Sequence, residues 1–341
     1  MNKHEKIKLA ISGDQQASIP FSFWTHLPEI DRQPEKLAEA TYQLYQDYDL
    51  DFIKTMNNGM YAVEDYGTTI DFSEVAKDGV AKVTHSPIKK NQDWTQLAQL
   101  EVATATALQR ELTHLKQLLQ LVDGEAPVIM TVFSPLTTAD KLAQGRLKKL
   151  LGQADATNLH QALTHIAATT AELARQSIEL GAAGIYFASQ MSSYEKLTAQ
   201  QYETYGVPYD LQVLKGAEKG WFNAIHIHGD NIMFDLVKNY PVQVFKWHIW
   251  ESLTELKEGQ DYTNKAVMGG IARMDITHDR LNELRTQIYQ SLISTQGRGV
   301  ILTPGCGIRH PFSEETIRFI QRVKTETEHL LKNKKTQSPY S

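Results

Sequence analysis

Short β-branched or aromatic runs alternate with amphipathic runs along most of the chain. The first expected strand is Phe21–His26. A helix is expected over 34–48, where Pro34 suits the first turn and Leu37, Leu44, Tyr45 and Tyr48 share one face. Further strands are expected at 51–56, 127–133, 184–188, 224–228, 242–247, 266–270 and 299–303. Helical patterns separate them at 97–122, 137–151, 157–180, 207–218, 230–238, 252–258 and 278–294. In the 157–180 pattern Leu163, Ile166 and Leu173 fall at helical spacing, and Gly181 is a stop signal. The 278–294 pattern puts Leu281, Leu284, Ile288 and Leu292 on one face. A last helix is expected from Ser313, a good N-cap, with Ile317, Ile320 and Val323 inward.

Eight strands alternating with helices predict one α/β domain, a single (β/α)8 TIM barrel. An open doubly wound sheet is the alternative, but no early strand is followed by a glycine-rich phosphate loop. The stretch from Asn57 to about Asp93 is long and polar, the mark of a functional loop insertion after strand 2. The expected organisation is an N-terminal lead-in at 1–19, a barrel at 20–331 and a frayed polar tail at 332–341.

Composition narrows the function. The chain has 341 residues, 41% hydrophobic and 22% charged, which is ordinary for a globular protein. No apolar run approaches the ~20 residues of a membrane span. The charged start, Met1 to Asp14, lacks the apolar core of a signal peptide. A net charge of -5 argues against nucleic acid as a partner. The one cysteine, Cys306, excludes an internal disulfide and suits a reducing cytoplasm.

In a barrel the active site lies at the carboxyl ends of the strands. Those ends supply Trp24, His26, Lys54, Met56, Phe133, Ser134, Gln190, His226, His228, Trp247 to Glu251, Arg273 and Cys306. His226 and His228 alternate on one strand, so both imidazoles face one side. With Glu251 one strand later and Cys306 after the last strand, two nitrogens, a carboxylate and a thiolate make a tetrahedral zinc set. The alternatives are packing histidines and an inert buried thiol. Cys306, between Gly305 and Gly307, is also read as a nucleophile or as part of a plain turn.

Several motifs resemble the uroporphyrinogen decarboxylase superfamily. They are His226-Ile227-His228-Gly229-Asp230, Met268–Ile271, Leu302–Ile308, Trp24-Thr25-His26, Asp51–Lys54, Tyr61–Gly67 and Gly184–Gln190. The resemblance covers about residues 20 to 330 and implies a single (β/α)8 barrel. It includes tetrapyrrole (porphyrin) decarboxylases and corrinoid-dependent methyltransferases. The methyltransferase branch binds zinc through His-x-Cys and a later Cys. This chain matches at His226 and Cys306 and has His228 in place of the first cysteine; the resemblance also supports Glu251 as a ligand. The decarboxylase branch carries an arginine-rich stretch after its first strand, which clamps carboxylates. Here no arginine precedes Arg32, and Lys54-Thr55-Met56-Asn57 stands where that branch has an aspartate.

The expected function is therefore a zinc-dependent transfer of a methyl group between a corrinoid, held on a partner protein, and a small thiol. Trp24, Trp247 and Trp250 would wall the site, the last two against the cofactor. Lys54, Tyr186, Gln190, His248 and Arg273 would orient substrate, and His26 would carry a proton. The alternatives are a decarboxylase of a tetrapyrrole or other carboxylate, and a non-catalytic corrinoid- or tetrapyrrole-binding barrel. The resemblance also implies a homodimer.

Overall fold

The computed structural model describes residues 1–14, 18–75, 81–252 and 254–336. Its centre is a curled, seven-stranded parallel sheet. The strands are β1 (Ile53–Lys54), β4 (Val128–Phe133), β5 (Gly184–Ser189), β6 (Ala224–Ile227), β7 (Val244–Trp247), β8 (Ala266–Ile271) and β9 (Val300–Pro304), in that order. Every residue of these strands is buried, the pattern of a parallel sheet covered on both faces. A small antiparallel pair, β2 (Thr69–Asp71) with β3 (Lys82–His85), lies outside the sheet. With the short helix Tyr61–Glu64 and a 3₁₀ turn at Asn91–Gln96, it gives structure to the stretch expected as loop. Residues 76–80 of that stretch lie outside the described residues.

The expected first strand is corrected. Phe21–His26 is extended but forms only isolated bridges, Phe21 to Leu302 and Thr25 to Ile308. On the β9 side Leu302 N–H donates to Pro20 O at 2.9 Å, and Ile308 N–H to Trp24 O at 3.0 Å. Toward β1, Asp51 N–H donates to Phe21 O at 2.9 Å and Ser22 Oγ to Phe52 O at 2.7 Å. The segment thus touches both ends of the sheet with too few ladder bonds to be a strand. Asp51 fixes it further: its carboxylate accepts from Phe21 N–H at 2.7 Å and pairs with Lys6 at 2.8 Å. From the other side Glu328 accepts from Ile19 N–H at 2.5 Å and pairs with Lys324 at 2.8 Å.

Helix Pro34–Asp47 buries Leu37, Ala38, Thr41 and Tyr45. Helix Leu159–Leu180 buries Leu163, Ile166 and Leu173 and stops at Gly181, whose φ is 119°. Ser313 Oγ accepts from Thr316 N–H at 3.3 Å at the start of helix Glu314–Thr336, with Ile317, Ile320 and Val323 inward. The expected tail is helical as far as Thr336, and its remainder lies outside the described residues.

Three helical expectations change. Residues 97–105 are not helical, because an extended run docks on the 159–180 helix: Leu100 N–H donates to Thr169 Oγ1 at 3.0 Å, and the Leu97 carbonyl meets His165 Nδ1 at 2.6 Å. The 137–151 pattern breaks into Pro135–Leu142 and Leu147–Leu151, since Gln144 and Gly145 turn at φ 54° and 76°. The N-terminal lead-in contains a helix, Lys3–Ser12, opened by a capping box between Asn2 and Glu5. Its Ile7 and Ala10 are buried in the core.

Outside β5, helix Val207–Gly216 brings a fully buried carboxylate, Asp210, against two tyrosines. Asp210 Oδ2 accepts from Tyr202 Oη at 2.5 Å and Tyr240 Oη at 2.9 Å, while Oδ1 has no partner. Burial pushes its carboxyl up to about 7, against the two tyrosine hydrogen bonds. Among the described residues no helix is long and apolar enough to cross a membrane.

Candidate metal centre

The two-residue period of β6 and β7 sorts their side chains. Phe245 and Trp247 point outward, where both pack on Phe234, at 5.8 and 5.0 Å between centroids. Lys246 and His248 therefore point inward, beside His226 and His228 of the neighbouring strand. The result is a cluster of three imidazoles. Ring centroids lie 5.2 Å apart for His226–His248, 4.8 Å for His228–His248 and 5.7 Å for His226–His228. One nitrogen from each falls within 4.8 Å of the others.

These rings are poor in partners and poor in protons. Both nitrogens of His226 and of His248 are buried without a hydrogen bond. Burial, then the His248 and Lys246 charges, holds His226 well below the ordinary histidine range. Burial, then His228 and Lys246, lowers His248 to about 3. Burial and the Arg273 guanidinium lower His228 as well. Orphaned, neutral imidazoles are the donor set of a late first-row divalent ion, so the three residues fit such a metal.

Two of the four expected ligands stand in this cluster. His226 and His228 are in the cluster, but among the described residues the third member is His248, expected as a substrate-orienting group, rather than Glu251 or Cys306. Glu251 stands behind: Oε2 is 3.2 Å from His248 Nδ1, outside hydrogen-bonding geometry, and Oε1 is 3.8 Å from Arg273 Nε. The loop carrying Cys306 passes close by. A Cβ on Gly307 would sit 3.0 Å from His26 Nε2, a tight approach that glycine relieves, whereas one on Gly305 would make only ordinary contact, 3.5 Å from His248 Cα.

Below the histidines the interior is aromatic and cationic. Tyr186 stacks on His226 at 5.5 Å and meets Trp24 edge-on at 5.4 Å. Trp24 lies between two ammonium groups, Lys54 at 5.3 Å and Lys246 at 4.9 Å. Lys54 donates to its neighbour Thr55 O at 3.0 Å, and the Tyr186 hydroxyl is buried without a partner. Burial lowers Lys54 to about 8 and Lys246 to about 7, with the Cys306 charge acting in the opposite direction in both. His26 is surface-exposed, yet desolvation by its neighbours, then the Lys54 and Arg273 charges, brings it to about 4. Arg273, opening the helix after β8, has its Nε buried without a hydrogen bond.

Other expected residues fall elsewhere. Trp247 is a core residue: fully buried, it donates from Nε1 to Thr254 O at 2.9 Å and packs against Gly259, so it cannot face a cofactor. Trp250 is 41% exposed and donates to Gly270 O at 3.0 Å. Gln190 is fixed through its main-chain N–H to Thr137 Oγ1 at 2.9 Å. Sequence reasoning missed Lys246, which donates to Thr303 Oγ1 at 2.9 Å and to the Pro304 carbonyl. A single lysine inside the apolar run Val242–Trp247 was the signal.

Comparison with known proteins agrees with this architecture. Structurally, the chain is similar to a methyltransferase from Methanosarcina mazei, with a TM-score of 0.79 at 16% identity over 96% of this chain and 99% of that one. It is also similar to a B12-independent methionine synthase from Shewanella sp., with a TM-score of 0.61 at 14% identity over 93% and 99%. In sequence it is 26% identical over 188 residues to a uroporphyrinogen decarboxylase from Nostoc sp., covering 53% of this chain and 51% of that protein. A uroporphyrinogen decarboxylase from Trichodesmium erythraeum is 24% identical over 276 residues, 77% and 74% of the two chains. The chain thus spans about half the length of the first relative and three quarters of the second. The uroporphyrinogen decarboxylase (URO-D) family model matches residues 23–326, nearly the whole of the curled sheet and its helices, and the chain belongs to that family.

Proposed function

We propose that the chain is an enzyme that moves a methyl group between a methylcorrinoid, carried by a partner protein, and a small anionic thiol. The curled sheet and its bridging segment are read as a (β/α)8 barrel with this site at its mouth. The observation that carries the reading is the cluster His226, His228 and His248, three gathered imidazoles at one end of a parallel sheet, two of them buried with no hydrogen bond. A zinc ion held by these residues would lower the pKa of a thiol and leave it a thiolate near neutral pH.

The chain's own residues do the rest. Lys54 and Arg273 bind the substrate's anionic end, since both are cationic and neither has a full set of partners. Trp24 and Tyr186 exclude water from the reacting sulfur. Neutral His26 takes the thiol proton as it departs. A methylcorrinoid docked at this mouth would supply the methyl group to that sulfur and would keep the electron pair of its broken cobalt–carbon bond. The two structural neighbours named above support a methyl-transfer direction by fold.

A second reading, decarboxylation of a small carboxylate, is favoured by the names of the sequence relatives and by Lys54 and Lys246 within the sheet. The two readings separate in one assay. Zinc-loaded protein is mixed with methylcobalamin and a short thiol bearing a sulfonate or carboxylate. Loss of the methylcobalamin spectrum with formation of the methyl thioether is expected. Bound zinc with no transfer, and carbon dioxide released from a small carboxylate, would replace the first reading by the second.

A further inference from the structure

The metal reading leaves open which side chains complete the centre, and the answer decides what ligand it accepts. We propose that His226, His228 and His248 form a divalent-metal centre with no protein thiolate, that Glu251 is a positioning residue behind His248, and that Cys306 stays a free thiol. This rests on the metal reading above but not on methyl transfer.

Three observations carry it. The only group of potential ligands gathered within 4.8 Å among the described residues is the three histidines. Four nitrogens on two of them are buried and unpartnered, whereas Glu251 already stands against His248 and Arg273. Cys306 is not a member of that group; it lies in a loop whose Gly305 packs beside His248 and whose start is held by Lys246 through Thr303 and Pro304. A carboxylate beside a ligating imidazole orients that ring and raises its basicity, and its loss lowers metal affinity ~10–100-fold.

The ligand set has a chemical consequence. Three neutral imidazoles leave the ion its full double positive charge, which a thiolate ligand would have reduced. The surroundings add Lys54, Lys246 and Arg273 against two acids, Glu251 beside His248 and Asp230 acting on His228. Charge balance must therefore come from outside the protein, so the open position selects an anionic group, an oxygen or sulfur anion, over a neutral one.

Cobalt(II) tests the assignment without any turnover. Chelator-treated protein is titrated with cobalt(II), and visible and near-ultraviolet absorption are recorded together with thiol titration. Because Cys306 is the sole cysteine, the thiol count reports on it alone. The expected result is one cobalt per chain, no sulfur-to-cobalt charge-transfer band, and an unchanged thiol count. Cys306→Ser keeps the affinity, Glu251→Gln weakens it within the ~10–100-fold range of an outer partner, and His248→Ala weakens it further. His248→Gln, checked by circular dichroism, covers the case in which the alanine variant does not fold. A charge-transfer band that Cys306→Ser removes would overturn the inference and leave the metal reading standing. A protein that binds no cobalt would sink both, and cobalt bound as described without methyl transfer would sink only the methyl-transfer function.

Discussion

His226 and Lys246 stand opposite each other in the β6–β7 ladder, so a metal-type ligand and a fully buried amine share one layer of the interior. The lysine does not approach an acid. It crosses the sheet to Thr303 and Pro304 at the end of β9, and so ties the strand that carries His248 to the loop that carries Cys306.

Lys246→Met tests this crossbeam. Methionine fills a similar volume but leaves the Pro304 carbonyl without its donor. A buried acceptor left unmade costs roughly 1–3 kcal/mol. Urea denaturation at pH 7 should show a loss of that order with an unchanged slope. No loss of stability would mean that the amine contributes nothing to the tie.

Asp210 makes stability depend on pH. Its folded-state carboxyl is raised from 3.8 to about 7, chiefly by burial. The folded protein therefore holds this proton more tightly than the unfolded chain does. The contribution is fully present below about pH 4 and is lost as pH rises to about 7. Each tenfold change in acidity corresponds to about 1.4 kcal/mol, so the loss reaches roughly 4 kcal/mol at most. Asp210→Asn cannot ionise and should flatten that part of the profile, becoming the more stable form at pH 8. Equal pH slopes for the two proteins in denaturant titrations would refute it.

Gly259→Ala tests the placement of Trp247. An added Cβ would lie 2.3 Å from the indole Cη2, which is wedged against Phe234. Overpacking of this kind costs roughly 1–3 kcal/mol, more than the helix propensity gained. A thermal midpoint that falls is expected; one that rises would mean the indole is free to move.

Uroporphyrinogen III should be a poor substrate. Its carboxylates would need a clamp of guanidinium groups, and the segment Phe21–Pro28 supplies none. Chromatographic analysis of the porphyrins after incubation should show unreacted octacarboxylate. Turnover of ~1 s⁻¹ or more would show that the lysines serve in place of arginines.

The strands were legible because a parallel sheet covered on both faces leaves continuous apolar runs, as in Val128–Phe133. His226 and His228 were legible because a period of two admits only one arrangement of the pair. The same period, applied to Val244–His248, turns Trp247 outward and Lys246 inward. His248 as a cluster member was less accessible, since only the juxtaposition of β6 and β7 brings it to the other two rings. Phe21–His26 reads as a strand because its residues suit one, but its partners are decided by Leu302 and Ile308, far away in the chain.

That last pairing governs when the site can exist. Thr25 and Ile308, hydrogen-bonded at 2.8 Å, are separated by 283 residues. Loop-closure entropy grows slowly with such a separation, but the contact cannot form before both ends have been synthesised. Trp24 and His26 are therefore among the last residues to reach their places during synthesis, although they are among the first made. The histidines of β6 and β7 can meet earlier on a partly assembled sheet. The imidazole cluster needs no residue beyond His248, whereas the wall that shields it waits for Ile308.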